Sequence, residues 1–382
     1  MQTVYFDYNA TTPLDPRVRE AMLPFLDGIF GNPSSVHHVG RRARSLLDDA
    51  RDRAAKVLGC KPSEVIFTSG GTESNNLALF GVARLLKSRG RHIITSAIEH
   101  HAVLHGLAYL EKKEGFEVTR LPVNGEGLVS VEDLARALRP DTILVSIMAA
   151  NNEIGTLQPV AEAGALCHSK GVLFHTDAAQ WFGKEPFRGI HQFNADLVSN
   201  SAHKFHGPKG AGALFVKSPL LPDPILFGGG HEHERRAGTE NLAGIIGLVE
   251  ALERFVPTPV FARESLLPLT RRLLAMVDQM KGVRLVGPRE NRLTNTVAFV
   301  VERADSIALL AGLDLEGICA SSGSACSAGS LEPSHVVLAL GVEPRLANSL
   351  VRLSLGRETS PGEIDFAEQV VPRVVRRVQG FD

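Results

Sequence analysis

The sequence predicts an α/β fold, with a large domain built on a mainly parallel sheet and a smaller α/β domain after it. Continuous apolar runs such as "TILVSIM" alternate with helical patterns, as expected for strands covered on both faces. A chain of 382 residues is too long for one core, because single cores stop growing near ~250–300 residues. The alternation also changes character after about Ala251. We therefore expect a large domain over 16–250 and a small one formed by 1–15 together with 251–382.

In the large domain the apolar runs predict strands at Val65–Thr68, His92–Ser96, Thr142–Met148, Val172–His175, Asp196–Ser199 and Ala213–Val216. Helical periodicity predicts Ser74–Ser88, His101–Glu114, Ser130–Leu138 and Val160–Gly171 between them. In the small domain a helical stretch at Pro259–Lys281 precedes strands near Val283–Val286 and Thr294–Val301. A helix at Ser306–Leu313, a Gly/Ser loop at Ser321–Ser330, a strand at Leu350–Ser354 and a closing helix at Pro361–Val378 follow. Residues 1–15 are too short to fold alone, so they are expected to pack on the small domain or line the crevice between the two. In such sheets ligands bind outside the carboxyl ends of the strands, and the chemistry is sought there.

Composition removes several classes. Lys and Arg number 41 against 42 Asp and Glu, which leaves no basic footprint for nucleic acid or an anionic membrane. Four cysteines (60, 167, 319 and 326) without C-x-x-C spacing exclude a disulfide scaffold and a structural zinc site, and suit a reducing, cytoplasmic setting. No stretch approaches ~18 consecutive apolar residues, and Asp7 interrupts any leader-like start, so neither a membrane span nor a signal peptide is expected. His231 and His233 in "GGGHEHERRAGTEN" stand at i, i+2 without a third ligand nearby, and no metal is assigned.

Three junctions carry chemistry. In "VIFTSGGTESNNLAL" a strand runs through Gly70-Gly71-Thr72 into a helix, which presents free N–H groups and the positive dipole end to an anion such as phosphate. The same residues also suit a plain glycine turn capped by Thr72. Neither the triphosphatase nor the dinucleotide glycine motif is present. In "VLFHTDAAQ" Asp177 follows directly on an apolar strand, where a half-buried carboxylate serves a ligand cation or caps a turn. In "LVSNSAHKFHGPKGAGALFV" Lys204 lies just past another strand, where desolvation turns an amine into a Schiff-base nucleophile; Lys209 reads as an exposed loop lysine. Singly these signals are weak. Together they offer a phosphate cradle, an acid for a ring nitrogen and an amine for an aldehyde, which is what pyridoxal phosphate requires of a protein.

Two further segments fit that cofactor. "AIEHHAVLHG" offers His100 and His101 after a strand end, and adjacent residues diverge, so at most one stacks on a ring. In "ICASSGSACSAGSLEP" Cys319 closes an apolar run and reads as a small buried hydrophobe. Cys326, set among Ser and Gly, reads as an accessible thiol nucleophile able to take up a product and carry it elsewhere.

With these residues in view, the chain resembles the NifS/IscS-type (group I) cysteine desulfurases, in the class-V aminotransferase-like family. The matching blocks span nearly all of it: "YFDYNATTPLDPRV", "FGNPSSVH", "FTSGGTESNN", "SIMAANNEIGTLQP", "HTDAAQ", "SAHKFHGPKG", "RRAGTEN", "SSGSACSAG", "LEPSHV" and "VRLSLGR". The cysteine loop discriminates, since related pyridoxal enzymes share the lysine and aspartate blocks without it. The resemblance implies a fold-type I homodimer whose large domain holds a sheet of the seven-stranded type. It implies that Lys204 bonds the cofactor aldehyde and later moves the Cα proton, that Asp177 pairs with the ring nitrogen, and that Gln180 bonds the ring hydroxyl. By the same resemblance His100 stacks on the ring and Thr72, Ser201 and His203 hold the phosphate, with Thr239 reaching it from the other subunit. Asn152 and Arg352 match the substrate-carboxylate site, where arginine supplies a bidentate fork. Cys326 matches the cysteine that takes sulfur from L-cysteine as a persulfide and delivers it to an acceptor protein, for iron–sulfur assembly or thiolation. Housekeeping members carry a further tail after the block matching "SPGEIDFAEQVVPRVVRRV", whereas here Asp382 follows closely, so docking to a scaffold protein stays open. The competing expectations are a selenocysteine lyase or another aminotransferase-like enzyme on the same fold, and a non-catalytic cofactor-binding scaffold.

Overall fold

The computed structural model describes residues 3–323 and 332–381. The chain begins with β1 (Val4–Tyr5), α1 (Pro16–Leu26) and α2 (His38–Leu58). The large sheet then alternates with its helices: β2 (Val65–Thr68), α3 (Gly71–Leu86), β3 (His92–Ser96), α4 (His101–Glu114), β4 (Glu117–Leu121), α5 (Val131–Ala137), β5 (Thr142–Ser146), α6 (Val160–Ser169), β6 (Leu173–Asp177), β7 (Leu197–Ser201) and β8 (Gly212–Val216). After α7 (Leu242–Phe255) and α8 (Arg263–Gln279) come β9 (Val283–Leu285), β10 (Thr296–Val301), α9 (Ser306–Leu315), β11 (Ile318–Cys319), α10 (His335–Ala339), α11 (Pro344–Ala347), β12 (Val351–Ser354) and α12 (Pro361–Gln379).

Seven strands form the large sheet in the order β2-β8-β7-β6-β5-β3-β4. From β7 to β4 every pairing is parallel, while β8 runs antiparallel to both of its neighbours. Two antiparallel steps restore direction, so the carboxyl end of β2 emerges on the same edge as those of the parallel strands. The register makes this concrete: Gly212 opens β8 between Thr68 and Ser201, the last residues of β2 and β7. Successive residues of each strand enter opposite cores, as the pleat requires. Ile66, Leu144, Leu197 and Leu214 face one layer, and Phe67, Val145, Val198 and Phe215 the other.

A second core gathers Leu273, Val297, Phe299, Val351, Leu353, Val371 and Val374 around the antiparallel sheet β12-β10-β9. Val4 and Phe6 from the chain's beginning also enter it, and β1 pairs in parallel with β11. Expected strands and helices recur with ends shifted by a few residues, and β2, β3 and α4 with none. Helices α1, α2, α7, α10 and α11 and the strands β1, β4 and β11 lie beyond the expected elements. β4 is an edge strand with half-exposed polar positions, which blunts the apolar signal. α2 is rich in Arg and Asp, and alanines make up half of its buried residues.

Candidate active site

The edge where the strands end collects the chemistry. Asp177 closes β6, and its buried carboxylate is held on both oxygens. The Ala179 N–H donates to Oδ1 at 2.9 Å, and Asn75 Nδ2, from α3, donates to Oδ2 at 2.6 Å. Asn75 Oδ1 is buried without a partner. Asn75 is a site residue that sequence reasoning missed; its only signal was a polar residue one turn into the helix.

Lys204 sits at the end of a 3-10 turn, Ala202–Lys204, just past β7. Its Nζ donates to the carbonyls of Asn9 and Ala10 at 2.8 and 2.9 Å. Those carbonyls come from the segment after β1, which the sequence left between two placements. β1 pairs with β11 and Val4 and Phe6 enter the second core, while Asn9 and Ala10 line the crevice.

The anion cradle follows from packing. Gly70 has a φ of 147°, in the region that favours glycine, and a Cβ on Gly212 would lie 2.6 Å from the Gly70 Cα. With both glycines in place the loop lies against β7, and a Cβ on Gly70 would be 3.6 Å from Ser201 Oγ. The N–H groups of Gly71 and Thr72 lie in the first turn of α3, ahead of its first internal bond. His203 closes this side, its Nδ1 3.1 Å from Thr11 Oγ1. Burial, and then the neighbouring lysines, push its imidazole down to about 3, so it stays neutral at physiological pH.

His100 caps α4: its Nδ1 accepts the Ala102 N–H at 3.1 Å, which places the ring proton on Nε2. Burial lowers its basicity and keeps the ring uncharged. Of the two candidate histidines it is the one that lines the crevice; His101 turns away and stacks on His105, with centroids 4.7 Å apart.

Arg352, on β12, is only 1 % exposed. Its guanidinium donates to Asp7 Oδ1 at 2.6 Å and to the Asn152 carbonyl at 2.8 Å. Asn152 thus contributes its backbone to the arginine. Gln180 is buried and donates through Nε2 to the Asn9 carbonyl at 2.9 Å.

Thr72, His100, Asn152, Asp177, Gln180, Ser201, His203, Lys204 and Arg352 all line one crevice of about 800 Å³. Thr239 does not: it is exposed and lines a separate cleft with Thr68, Ser69 and Arg236. Cys326 lies outside the described residues. The segment around His231 and His233 has a packing role, since Glu232 is buried and pairs with Arg51 at 2.7 Å. Among the described residues no group of three His, Cys, Asp or Glu side chains is placed to hold a metal. No helix among them is long and apolar enough to cross a membrane.

Glu99, next to His100, is a second residue missed from sequence. Its Oε1 accepts from Ser96 Oγ at 2.5 Å and from the Met148 N–H at 2.9 Å, while Oε2 is buried without a partner. Burial pushes its carboxyl up to about 8. The folded chain therefore keeps a proton that the unfolded chain releases near 4.5, so stability falls as pH rises from there towards about 8. Glu99→Gln, which mimics the protonated acid, is expected to remove that slope and stabilise the cofactor-free protein at pH 8 by on the order of 1 kcal/mol. Urea unfolding of both proteins near pH 5 and pH 8 checks this.

The donor set fits pyridoxal phosphate. It offers a half-buried amine for the aldehyde, a fixed carboxylate for the ring nitrogen, a neutral imidazole for the ring face and a glycine cradle with Ser201 for the phosphate. Fold and site together define a fold-type I pyridoxal-phosphate enzyme. The chain belongs to the class-V aminotransferase family, whose pattern it matches over residues 4–366, and within it to the cysteine desulfurases of NifS/IscS type. It is 48% identical over 377 residues to the cysteine desulfurase IscS of Dictyoglomus turgidum, covering 98% of this chain and 95% of that one. It is 46% identical over 380 residues to cysteine desulfurase IscS of Methanosarcina thermophila, covering 100% and 94%. Among solved structures a NifS-like protein superposes with a TM-score of 0.91 at 38% identity, covering 98% of this chain and all of that one. SspA in complex with cysteine superposes with a TM-score of 0.82 at 36% identity, covering 94% and 100%.

Proposed function

We propose that this crevice takes L-cysteine and releases L-alanine, with the substrate sulfur passing to Cys326. The observation that carries the reading is the convergence of Lys204, Asp177 and the glycine cradle at one sheet edge, in a chain whose relatives are cysteine desulfurases. The structural neighbour described in complex with cysteine supports the choice of substrate.

Bound in the crevice, pyridoxal phosphate supplies an aldehyde that bonds amines and a ring that draws electrons from the substrate Cα. Asp177, held by Asn75 and Ala179, presents its charge to the ring nitrogen and keeps that nitrogen protonated. Lys204 would hold the cofactor through its amine and is placed to move the proton at the substrate Cα, and the Asn9 and Ala10 carbonyls orient that amine. Arg352, already positioned by Asp7, binds the substrate carboxylate. The Cys326 thiolate attacks the substrate sulfur; the S–S bond forms as Cβ–Sγ breaks. The electron pair passes to Cβ, which gains a proton and leaves as the alanine methyl group, while the transferred sulfur is oxidised to the sulfane level. The persulfide then passes to a thiol acceptor, in iron–sulfur assembly or thiolation.

We read the working unit as a cytoplasmic homodimer. Large exposed apolar side chains occur at Leu23, Leu26, Phe30 and Val36 and again at Leu221, Leu226 and Phe227, a supply of surface for a second copy. Thr239, outside its own crevice, is then available to the partner's phosphate. Light scattering of the cofactor-loaded protein is expected to give twice the chain mass.

The test of the function is to incubate the protein with L-cysteine and a thiol reductant and quantify alanine and sulfide together. Equal amounts over many turnovers are expected. Pyruvate and ammonia accompanying sulfide would mean β-elimination and would sink the persulfide route. A separate prediction concerns Asp177→Asn, which removes the charge and sets the new amide against the Asn75 donor. Turnover is expected to fall about 10²–10³-fold with cofactor still attached through Lys204, measured in single-turnover absorbance traces.

A further inference from the structure

Beneath the crevice lies a second lysine for which the reaction has no use. Lys184 follows β6 by one short turn and is only 5 % exposed. Its Nζ donates to Gln180 Oε1 and, at 2.8 Å, to Asn9 Oδ1. The charged or titratable groups facing it are Lys204, Arg352, His203 and, with opposite sign, Glu185. Burying an amine among amides is costly where an apolar side chain would pack as well, so its bonds are the place to look for a purpose.

Those bonds fix the orientation of two amides. Nζ donates to both amides, and an ammonium has no acceptor, so the amide atom facing it is the oxygen. At Gln180 this turns Nε2 the other way. One of its N–H groups reaches the Asn9 carbonyl at 2.9 Å, and the other is left for the crevice that Gln180 lines. At Asn9 the same constraint is reinforced by Asn295 Nδ2, which donates to Oδ1 at 3.0 Å. Asn9 Nδ2 is thereby directed to the Asn152 carbonyl at 3.1 Å and to Thr296 Oγ1 at 2.9 Å. The Asn9 carbonyl meanwhile accepts from Lys204. The two lysines grip one residue, one through its side chain and the other through its backbone.

We propose that Lys184 is a positioning residue: it holds the Gln180 amide with its nitrogen toward the crevice, where it donates to the ring oxygen of the bound cofactor, and it fixes Asn9 beneath Lys204. The proposal rests on the assignment of the crevice to pyridoxal phosphate. Without Lys184 the amide is free to invert and set its oxygen against the ring oxygen.

The experiment follows the absorbance of the bound cofactor in the holoenzyme as pH is varied. A donor to the ring oxygen stabilises its anion, and a nearby amine that carries charge opposes protonation of the Lys204 linkage. Both effects hold the titration midpoint down. Lys184→Met keeps the length and removes the donor, so the midpoint is expected to rise by about one unit and cofactor affinity to fall about tenfold. Lys184→Arg, which restores donors, is expected to recover at least half of the midpoint shift. An unchanged midpoint in a folded, cofactor-loaded Lys184→Met protein overturns the proposal. If that variant does not fold, Gln180→Leu, which removes the oriented amide alone, must raise the midpoint in the same direction, and no rise overturns the proposal equally. A wild-type chain that binds no cofactor would overturn the crevice assignment itself, a failure readily told apart from the first.

Discussion

Lys204→Ala is expected to leave a folded protein that makes alanine from cysteine at least about 10³-fold more slowly than the parent chain. The side chain has two duties that nothing nearby can take over. It offers the amine that bonds the cofactor, and it moves the proton at the substrate Cα. Lys184 is another amine close to it, yet it is tied to Gln180 and Asn9. Lys204 sits at a half-buried edge, and a thermal melt reads any cost of the substitution to folding. The measurements are alanine release under saturating cysteine, cofactor absorbance and a thermal melt. A near-normal rate would remove Lys204 from the reaction.

Cys326→Ser is expected to be as severe for sulfur transfer while sparing the steps before it. The hydroxyl has nearly the size of the thiol but cannot form a persulfide at neutral pH, so alanine should fall to background. The variant should still bind cysteine and show the early absorbance changes of a cofactor engaged with substrate, because Lys204, Asp177 and Arg352 are untouched. Stopped-flow absorbance and alanine release, read together, separate this from a defect in binding. Undiminished alanine would leave the persulfide route untenable. With Lys204→Ala the early changes disappear, so the pair brackets the reaction from both ends.

The parallel sheet and its crevice could be read from the chain because their signals are local. Apolar runs ending in Asp177 and Ser201, and a strand passing through Gly70-Gly71 into a helix, each lie within a few consecutive residues. What escaped depends on partners far away in sequence. Asn75 matters because it meets Asp177 across 102 residues, and nothing within "TESNN" marks which asparagine faces the sheet. Glu99 looked like the neighbour of a histidine, and only burial gives its carboxyl its character. Arg352 was legible as an arginine on a strand, but its anchoring to Asp7 and to a backbone carbonyl required the fold. Helix α7 escaped for the opposite reason: it is apolar nearly all round, because α1 and α2 cover the faces turned from the sheet.

The segment around Asn9 also has a consequence for biosynthesis. Asn9 bonds to Ser354 across 345 residues, and Asp7 to Arg352 across the same separation. A chain emerging from the ribosome can finish the seven-stranded sheet once β8 is out, long before the carbonyls beneath Lys204 acquire their support. The support for those carbonyls is therefore expected only after β12 has been made, when residues 345 positions apart meet. A product that stops before β12 should keep much of its secondary structure and yet remain colourless, so the chemistry waits on a contact made late in the chain.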